Sequence, residues 1–195
     1  MAREPSWLGG GGDDADFTVL FVCTGNICRS PTAEAFARRE LGNLADDGGL
    51  RFGSAGSHAL NGNPATEGAV AAAAARGGDL TRHRARELDR RLVREADLIL
   101  VMAAEHLPYV LAFDRSAADR AFVLGAFARV LADLPSQARS PEQLVAMALA
   151  EGAARDRVDD DVEDPIGGTP EAYGAVAEHI DELVPPVVAA LAKLA

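Results

Sequence analysis

A cysteine, an arginine and a serine lie close together near the start of the chain, where residues 23–30 read Cys-Thr-Gly-Asn-Ile-Cys-Arg-Ser. A cysteine thiolate is a strong nucleophile that can attack phosphorus in line. Five residues separate Cys23 from Arg29, whose planar guanidinium can grip two phosphate oxygens. Ser30 can donate a hydrogen bond to the sulfur and so help it leave. The spacing therefore predicts phosphoryl-transfer chemistry at a cysteine.

The elements on either side predict how this loop is held. Residues 17–23 form an apolar, β-branched run, which is typical of a buried strand in a parallel sheet. Residues 30–41 have a helical period, and Pro31 suits the first helical turn because its missing N–H costs nothing there. A loop between strand and helix lies at the carboxyl edge of the sheet, where helix N–H groups and the helix dipole attract an anion. The same groups would stabilise a Cys23 thiolate.

Three other loop residues suit an anion-binding turn. Gly25 lets the backbone curl tightly, and the Asn26 side chain can hold a strained loop by hydrogen bonds. Cys28 is either a small packing residue or the partner that traps an oxidised Cys23 as a disulfide. The chain has only these two cysteines, and no histidine is close to them in sequence. Neither a structural disulfide, a metal site nor a cofactor is expected.

Strands and helices alternate along the rest of the chain. Further strands are predicted at 50–54, 96–102 and 121–124. Between them, helices are predicted from 63–64 to about 76, at 87–95 and at 104–111. An apolar stripe marks a last helix from residue 170. Pro185 and Pro186 should kink or restart that helix. The pattern predicts an α/β fold, a three-layer open parallel sheet of about four strands with helices on both faces and the phosphate loop after the first strand.

The domain organisation is predicted from composition. Residues 1–16 contain a glycine run and are expected to form a flexible tail, and residues 17–195 a single domain. Less regular sequence at about 126–161 predicts a helical insert, with helices at 126–134 and 141–151. This insert is either a docking surface or a pair of helices packed on the edge of the domain.

Charge and hydropathy exclude several classes of protein. The formal net charge is −11, which argues against nucleic acid and anionic membranes as partners. No apolar run has the length of a membrane span or the pattern of a signal peptide. We therefore expect a cytoplasmic location and no membrane insertion. This charge also repels phosphate esters, so a phosphate site needs a strong local positive field.

Residues 22–34 read Val-Cys-Thr-Gly-Asn-Ile-Cys-Arg-Ser-Pro-Thr-Ala-Glu and resemble the signature of the low-molecular-weight protein tyrosine phosphatases, in their bacterial branch. Further segments resemble the family in the same order: residues 54–56, 83–86, 96–102 and 161–167. The resemblance implies a hydrolase that removes phosphate from phosphotyrosine in proteins through a phosphocysteine intermediate, without a metal or cofactor.

The resemblance also implies residue roles. Cys23 would be the nucleophile, Arg29 the phosphate clamp, and Asp164 the general acid that then becomes the base for water. The phosphate would be held by Thr24, Gly25, Asn26, Ile27, Cys28, Arg29 and Ser30. Four residues would support the loop or the thiolate by hydrogen bonds: Asn26, Ser30, Ser54 and His83. Three histidines receive no catalytic role: His58, His106 and His179.

Two departures from the family pattern bear on the substrate. Residues 164–168 read Asp-Pro-Ile-Gly-Gly and lack the aromatics common in phosphotyrosine members. This form is similar to members that hydrolyse phosphoarginine, but those usually carry threonine at the position of Ile27. Because Ile27 would line the pocket itself, phosphotyrosine is the expected substrate and protein arginine phosphatase the alternative. Ile27, Leu60 and Ile166 would then form an aliphatic wall.

Two further functions stay open. Thiol-coupled arsenate reductases share the loop but need further cysteines, and none follows Cys28. A phosphate-binding module without turnover would need no acid. The expected partners are a phosphorylated protein and inorganic phosphate, as product and inhibitor. Residues 57–62 resemble bacterial members that act on autophosphorylated tyrosine kinases, which makes such a kinase a candidate substrate.

Overall fold

The sheet is built around the first strand. The computed structural model describes residues 17–44, 49–134, 137–154 and 157–195, so the predicted tail at 1–16 lies outside the described residues. Among the described residues four strands form one sheet: β1 (Phe17–Cys23), β2 (Leu50–Gly56), β3 (Leu98–Val101) and β4 (Ala121–Val123). All neighbours are parallel, in the order β2-β1-β3-β4. The predicted four-stranded parallel sheet is confirmed, with β1 inside it.

Helices connect the strands. The α-helices of the described residues are α1 (Arg29–Asn43), α2 (Glu67–Ala74), α3 (Arg90–Glu95), α4 (Leu107–Phe113), α5 (Leu124–Asp133), α6 (Pro141–Ala150) and α7 (Pro170–Ala192). Short 3-10 turns occupy Ala104–His106, Arg115–Asp119 and Val158–Asp160. None of the helices in the described ranges is long and apolar enough to cross a membrane.

Side chains of β1 alternate between two apolar layers, as expected for a strand covered on both faces. Val19 and Phe21 pack in the cluster that contains residues of α1, α5 and α7. Leu20 and Val22 point the other way, into the cluster with residues of α3 and α4. The three-layer arrangement predicted from the sequence is therefore confirmed.

Two helices begin later than the sequence predicts. α2 starts at Glu67, three residues beyond Pro64, because Thr66 caps it by accepting a hydrogen bond from the Ala69 N–H at 3.3 Å. α3 starts at Arg90 behind an Asp89 cap rather than at residue 87. Much of the chain before α2 gives its N–H groups to the loop after β1, so it is not available for a helix.

The helices after β4 belong to the main core. α6 buries Leu144, Val145 and Ala148 in the cluster that also contains residues of α1 and α7. A Cβ on Gly125 of α5 would lie 2.4 Å from the Asp160 carbonyl oxygen, so the return segment passes directly over this helix. The division into tail, domain and insert stays a prediction.

α7 runs through Pro185 and Pro186 as one helix, so of the two predicted outcomes the restart is wrong, and the kink stays a prediction. Each proline removes one hydrogen bond to the carbonyl four residues before it. The buried face formed by Val184, Val187 and Val188 continues across this point, while Pro186 is exposed. Packing on the inner face therefore keeps the helix together where the backbone ladder is interrupted.

Candidate active site

A cavity of about 240 Å³ opens where β1 ends and α1 begins. It is lined by Cys23, Thr24, Gly25, Ile27, Cys28, Arg29, His58, Leu60, Asp164 and Ile166. The three residues predicted as catalytic, Cys23, Arg29 and Asp164, therefore meet at one cavity. It lies at the carboxyl edge of the sheet, as expected for an open α/β fold.

Five successive carbonyl groups point outward from the curve of the loop, because each accepts a hydrogen bond from a segment outside the loop. The pairs are Cys23 with the Ser57 N–H, Thr24 with the His58 N–H, Gly25 with the Leu60 N–H, Asn26 with the His83 Nε2 and Ile27 with the Thr66 N–H, at 2.7–3.2 Å. A trans peptide holds its C=O and N–H on opposite sides. The N–H groups of residues 24–28 are therefore turned toward the cavity and form a cradle for an anion.

Asn26 holds the loop in a backbone conformation that few residues adopt. Its φ is +54°, in the left-handed region that asparagine tolerates better than most side chains. The fully buried amide donates through Nδ2 to Ser30 Oγ and Ser54 Oγ, each at 2.9 Å. Its Oδ1 accepts from the Arg86 N–H at 2.9 Å. All the hydrogen-bonding groups of this amide are satisfied, so the loop is held rigidly.

The Asn26 network ends at the cysteine sulfur. Ser30 Oγ accepts from Asn26 and lies 2.9 Å from Cys23 Sγ and 3.3 Å from the Ala55 carbonyl oxygen, so its single proton can go to the sulfur, which is the nearer of these two acceptors. In the other direction, Ser54 donates to Glu34 Oε2 at 2.7 Å. The structure thus brings together the predicted supporting residues. Sequence reasoning missed Glu34, because its pairing with Arg38 four residues later is typical of an exposed helix face.

Gly56, at the end of β2, allows the loop to pack against this strand. A Cβ at this position would lie 2.4 Å from the Thr24 carbonyl oxygen and 3.0 Å from the Asn26 nitrogen. Both are backbone atoms, which cannot move aside as a flexible side chain can. A side chain at residue 56 is therefore incompatible with the observed loop.

Arg29 is almost fully buried and is held from several sides. Nη1 donates to the Val162 carbonyl at 3.1 Å, and Nη2 lies 2.5 Å from Asp164 Oδ2 and 3.4 Å from Thr24 Oγ1. Val162 in turn donates its N–H to the Met102 carbonyl just after β3, at 2.7 Å. These bonds fix the guanidinium and bring the late acidic loop over the cavity.

The carboxylates near Asp164 in sequence have separate partners. Asp160 forms an ion pair with Arg129 at 2.8 Å, which holds the pKa of that carboxyl below its ordinary value. Asp161 accepts from the Ala104 N–H at 2.9 Å. Asp164 accepts from the Ile166 N–H at 3.1 Å through Oδ1, which fixes its loop locally. Of these carboxylates, Asp164 is the one that lines the cavity.

The walls of the cavity are mainly aliphatic. Ile27, Leu60 and Ile166 all line it, as the sequence predicts, and the last two are 50% and 54% exposed. His58 also lines it and meets the Tyr109 ring edge to face, with centroids 4.9 Å apart. Sequence reasoning missed this pair, because Tyr109 comes from α4, about fifty positions further along the chain.

Two histidines contact the loop from outside, His106 buried and His83 half-buried. His83 Nε2 lies 2.7 Å from the Asn26 carbonyl, and His106 Nε2 lies 3.0 Å from Thr24 Oγ1. Burial lowers the pKa of both histidines below the ordinary value of that side chain. His83 was predicted from the resemblance. His106 was left without a role, although it follows β3, whose carboxyl end lies next to that of β1.

The Cys28 sulfur has partners outside the hydrogen-bond network of Asn26 and Ser30. Its sulfur is 3.3 Å from Thr66 Oγ1 and 4.0 Å from the Tyr173 hydroxyl. Burial raises the pKa of the Cys28 thiol. Both cysteines are free and line the same cavity, so packing and disulfide formation both stay open for Cys28. Within the described ranges, no group of three or more histidine, cysteine or acidic side chains is placed to hold a metal ion.

Comparison with known proteins matches more than half of the chain to a known family. The family model for "Low molecular weight phosphotyrosine protein phosphatase" matches residues 18–136. The chain is 44% identical over 108 residues to the probable low molecular weight protein-tyrosine-phosphatase EpsP of Ralstonia solanacearum, a match that covers 55% of this chain and 70% of that protein. It is 38% identical over 108 residues to the phosphatase Etp of Escherichia coli K12, covering 55% and 69%.

Solved structures share the fold over most of its length. A low molecular weight protein tyrosine phosphatase from T. tengcongensis matches with a TM-score of 0.69 and 30% identity, over 89% of this chain and 99% of that one. The YwlE arginine phosphatase of Geobacillus stearothermophilus matches with a TM-score of 0.67 and 26% identity, over 89% and 91%. The fold is therefore similar to structures described by either substrate.

Proposed function

The chain belongs to the low molecular weight phosphotyrosine protein phosphatase family, and we propose that it hydrolyses phosphotyrosine in proteins with Cys23 as nucleophile. One observation carries the assignment of the site. The five outward carbonyls leave a ring of inward N–H groups directly after the Cys23 sulfur, with Arg29 at its edge. Such a cradle binds a phosphate dianion locally even though the net charge is −11.

In the first step the Cys23 thiolate attacks phosphorus opposite the tyrosine oxygen. The S–P bond forms while the P–O bond breaks, and Asp164 transfers its proton to the departing phenolic oxygen. Arg29 and the loop N–H groups hold the three remaining phosphoryl oxygens as the charge redistributes. The products of this step are a tyrosine side chain and phosphocysteine, with Asp164 ionised.

In the second step water attacks phosphorus from the side that the tyrosine left. Asp164 takes one proton from that water, the new P–O bond forms and the S–P bond breaks. The electron pair returns to Cys23 as a thiolate, which the Ser30 hydroxyl stabilises from 2.9 Å. Inorganic phosphate then leaves, and because it fits the same cradle it competes with substrate.

The preference for phosphotyrosine is supported by the cavity walls. Ile27 stands where phosphoarginine members usually carry threonine, and its side chain lines the cavity with no hydroxyl to orient water. With Leu60 and Ile166 it offers an apolar slot that suits the faces of a phenyl ring. Protein arginine phosphatase is the second candidate, supported by the Gly167-Gly168 pair and by the likeness to YwlE.

The substrate proposal extends to partners and place. The relatives EpsP and Etp are named as protein-tyrosine-phosphatases, which supports a phosphorylated protein, and more narrowly an autophosphorylated tyrosine kinase, as the substrate. Residues 17–195 are proposed as the single catalytic domain, with 126–161 as its helical insert. A cytoplasmic location is proposed because a thiolate nucleophile requires a reducing compartment.

The test compares rates on peptides of one sequence that carry phosphotyrosine or phosphoarginine. Wild type, Ile27→Thr and Cys23→Ser are measured side by side. We expect a higher kcat/KM on phosphotyrosine for wild type, a shift toward phosphoarginine in Ile27→Thr, and no turnover in Cys23→Ser. Faster hydrolysis of phosphoarginine by wild type would make the second candidate the function. Turnover that survives in Cys23→Ser would remove the cysteine mechanism altogether.

A further inference from the structure

His106 connects two neighbouring strand ends at the edge of the cavity. It closes the 3-10 turn Ala104–His106 after β3, and only 1% of its surface is exposed. Its Nε2 lies 3.0 Å from the hydroxyl oxygen of Thr24, the first residue after β1. The turn is itself fixed, because the Ala104 N–H donates to Asp161 at 2.9 Å. His106 is thus a rigid contact to a residue that lines the phosphate cradle.

The surrounding hydrogen bonds determine the tautomer of this imidazole. The Ala103 N–H lies 3.1 Å from His106 Nδ1, and an N–H group can only donate. The Ala103 carbonyl oxygen, also 3.1 Å from Nδ1, accepts from the His106 backbone N–H at 3.0 Å and keeps a second acceptor position, so the Ala103 N–H, which cannot accept, is the contact that decides. Nδ1 is therefore the acceptor, and the ring carries its proton on Nε2. Burial and the Arg29 guanidinium lower the pKa of His106, which keeps the ring neutral.

With this tautomer, Nε2–H donates to the hydroxyl oxygen of Thr24. The same oxygen lies 3.4 Å from Arg29 Nη2, which also can only donate. A threonine hydroxyl has two acceptor positions and one proton. Both acceptor positions of the Thr24 hydroxyl face donors, so its proton points in the one remaining direction. Because Thr24 lines the cavity, this proton is available to a ligand there.

We propose that His106 is a positioning residue for the phosphatase reaction: it sets the Thr24 hydroxyl as a donor to a phosphoryl oxygen beside Arg29. The inference rests on the proposed function for the identity of the anion. It assigns the phosphate site a side-chain hydroxyl donor in addition to Arg29 and the loop N–H groups. Without His106, the Thr24 hydroxyl can rotate and turn a lone pair toward the phosphate. This arrangement is repulsive, because the phosphoryl oxygens are negatively charged.

The experiment is a double-mutant cycle on His106→Ala and Thr24→Val. Thr24→Val removes the hydroxyl and keeps the branched shape. Two quantities are measured for each protein: the affinity for inorganic phosphate by calorimetry, and kcat/KM on a phosphotyrosine peptide. We expect either single change to lower both by about 10- to 100-fold, the value of one hydrogen bond to a charged group. In the double variant, phosphate affinity and kcat/KM should fall no further than in the more impaired of the two single variants.

Two further variants separate positioning from a general structural role. His106→Gln carries both an acceptor and a donor, so it should recover part of the lost affinity, but only when Thr24 is present. His179→Ala, on α7 and outside the cavity, should bind phosphate as wild type does. If His106→Ala fails to fold, the comparison of Thr24→Val with Thr24→Val/His106→Gln and His106→Gln still completes the cycle.

The outcomes distinguish this inference from the proposed function. Losses that multiply in the double variant, or wild-type phosphate affinity in Thr24→Val, would overturn the role of His106. If phosphate affinity follows the expected pattern but no Cys23-dependent hydrolysis is found, the proposed function fails and the positioning of Thr24 stands. If hydrolysis depends on Cys23 and both single variants are kinetically silent, only the positioning role is lost.

Discussion

The Asp164 carboxylate lies 2.5 Å from the Arg29 guanidinium, between Oδ2 and Nη2, although 135 positions separate the two residues in sequence. The proposed acid and the proposed clamp therefore neutralise each other in the free protein. We expect an arriving phosphate dianion to replace the carboxylate at Nη2, while Nη1 stays on the Val162 carbonyl. Asp164, which is 41% exposed, is then expected to take up a proton from solvent and turn toward the leaving oxygen as the acid. Binding of substrate is in this way coupled to release of the acid.

This relationship predicts a selective effect of Asp164→Asn. The variant cannot protonate the leaving oxygen, so esters of poor leaving groups should slow by about 100-fold or more, and esters of good leaving groups far less. Phosphate affinity should be kept or should rise, because the cradle is unchanged and phosphate no longer has to displace a carboxylate from Arg29. The measurement is kcat across a series of aryl phosphates of graded leaving-group acidity, together with inhibition by phosphate.

The neighbouring carboxylate Glu163 provides the matched control for this change. Glu163 is exposed and does not line the cavity, so Glu163→Gln should leave the whole series unaffected. If Asp164→Asn gave the same rates as wild type for every ester, the acid would be another carboxylate. Asp161 would then be the first to test.

Arg29→Lys tests the planar fork separately from the charge. A lysine keeps the positive charge but cannot bind two phosphate oxygens together while also donating to Val162. We expect phosphate affinity to fall by about 10- to 100-fold, with a larger loss in kcat/KM. Arg94→Lys, at an exposed position on α3, is the control and should have wild-type kinetics. Equal affinity in Arg29→Lys would mean that charge alone holds the anion.

The sequence predicts the elements that position the nucleophile because their signals are local. The run at 17–23 reads as a buried strand, and the period after Ser30 reads as a helix, so the loop between them follows directly. The roles of Asp164 and His83 came instead from a family resemblance, since Asp-Pro or a lone histidine has no such meaning alone. Helix starts were placed too early where backbone N–H groups are used to hold the loop.

What could not be predicted depends on which strand ends are neighbours. The contact between His106 and Thr24 exists because β3 lies beside β1, and strand order leaves no mark in either segment. The pairing of His58 with Tyr109 has the same origin. The outward direction of the loop carbonyls is likewise a property of five separate contacts, four of which come from the segment after β2.

From the partly buried side chain of His83 we expect the free energy of unfolding to fall in mild acid. Burial lowers its folded-state pKa, so below the unfolded value of about 6.5 the unfolded chain takes up a proton that the folded chain does not. The stabilisation is present above that pH and is lost as pH falls through the lowered folded pKa. For each such histidine the slope is at most about 1.4 kcal/mol per pH unit.

Urea unfolding between pH 7.5 and roughly pH 5 measures this slope, because the linkage applies to equilibrium stability. His83→Gln should be less stable at neutral pH but should lose less with acid than wild type. His179→Gln, for which no loop contact exists, should keep the wild-type slope. A steeper acid dependence in His83→Gln would contradict the assignment of a buried neutral imidazole. The pKa of His106 is also lowered, so His106 accounts for part of the pH dependence of stability that remains in His83→Gln.

Two glycines test how closely the loop after β1 is held against β2. In Gly56→Ala the new Cβ would lie 2.4 Å from the Thr24 carbonyl oxygen, so the loop has to move. We expect a loss of about 1–3 kcal/mol in the free energy of unfolding, as for overpacked sites. A displaced cradle should also lower kcat/KM by roughly 100-fold.

The control is Gly174→Ala, in α7, where no atom lies within 4 Å of the new Cβ. Its free energy of unfolding should rise by about 0.5–1 kcal/mol with unchanged kinetics. Urea unfolding and turnover of an aryl phosphate measure both effects on the same samples. Wild-type turnover by Gly56→Ala would show that the loop does not need this contact, and that its N–H groups are oriented by the other segments alone.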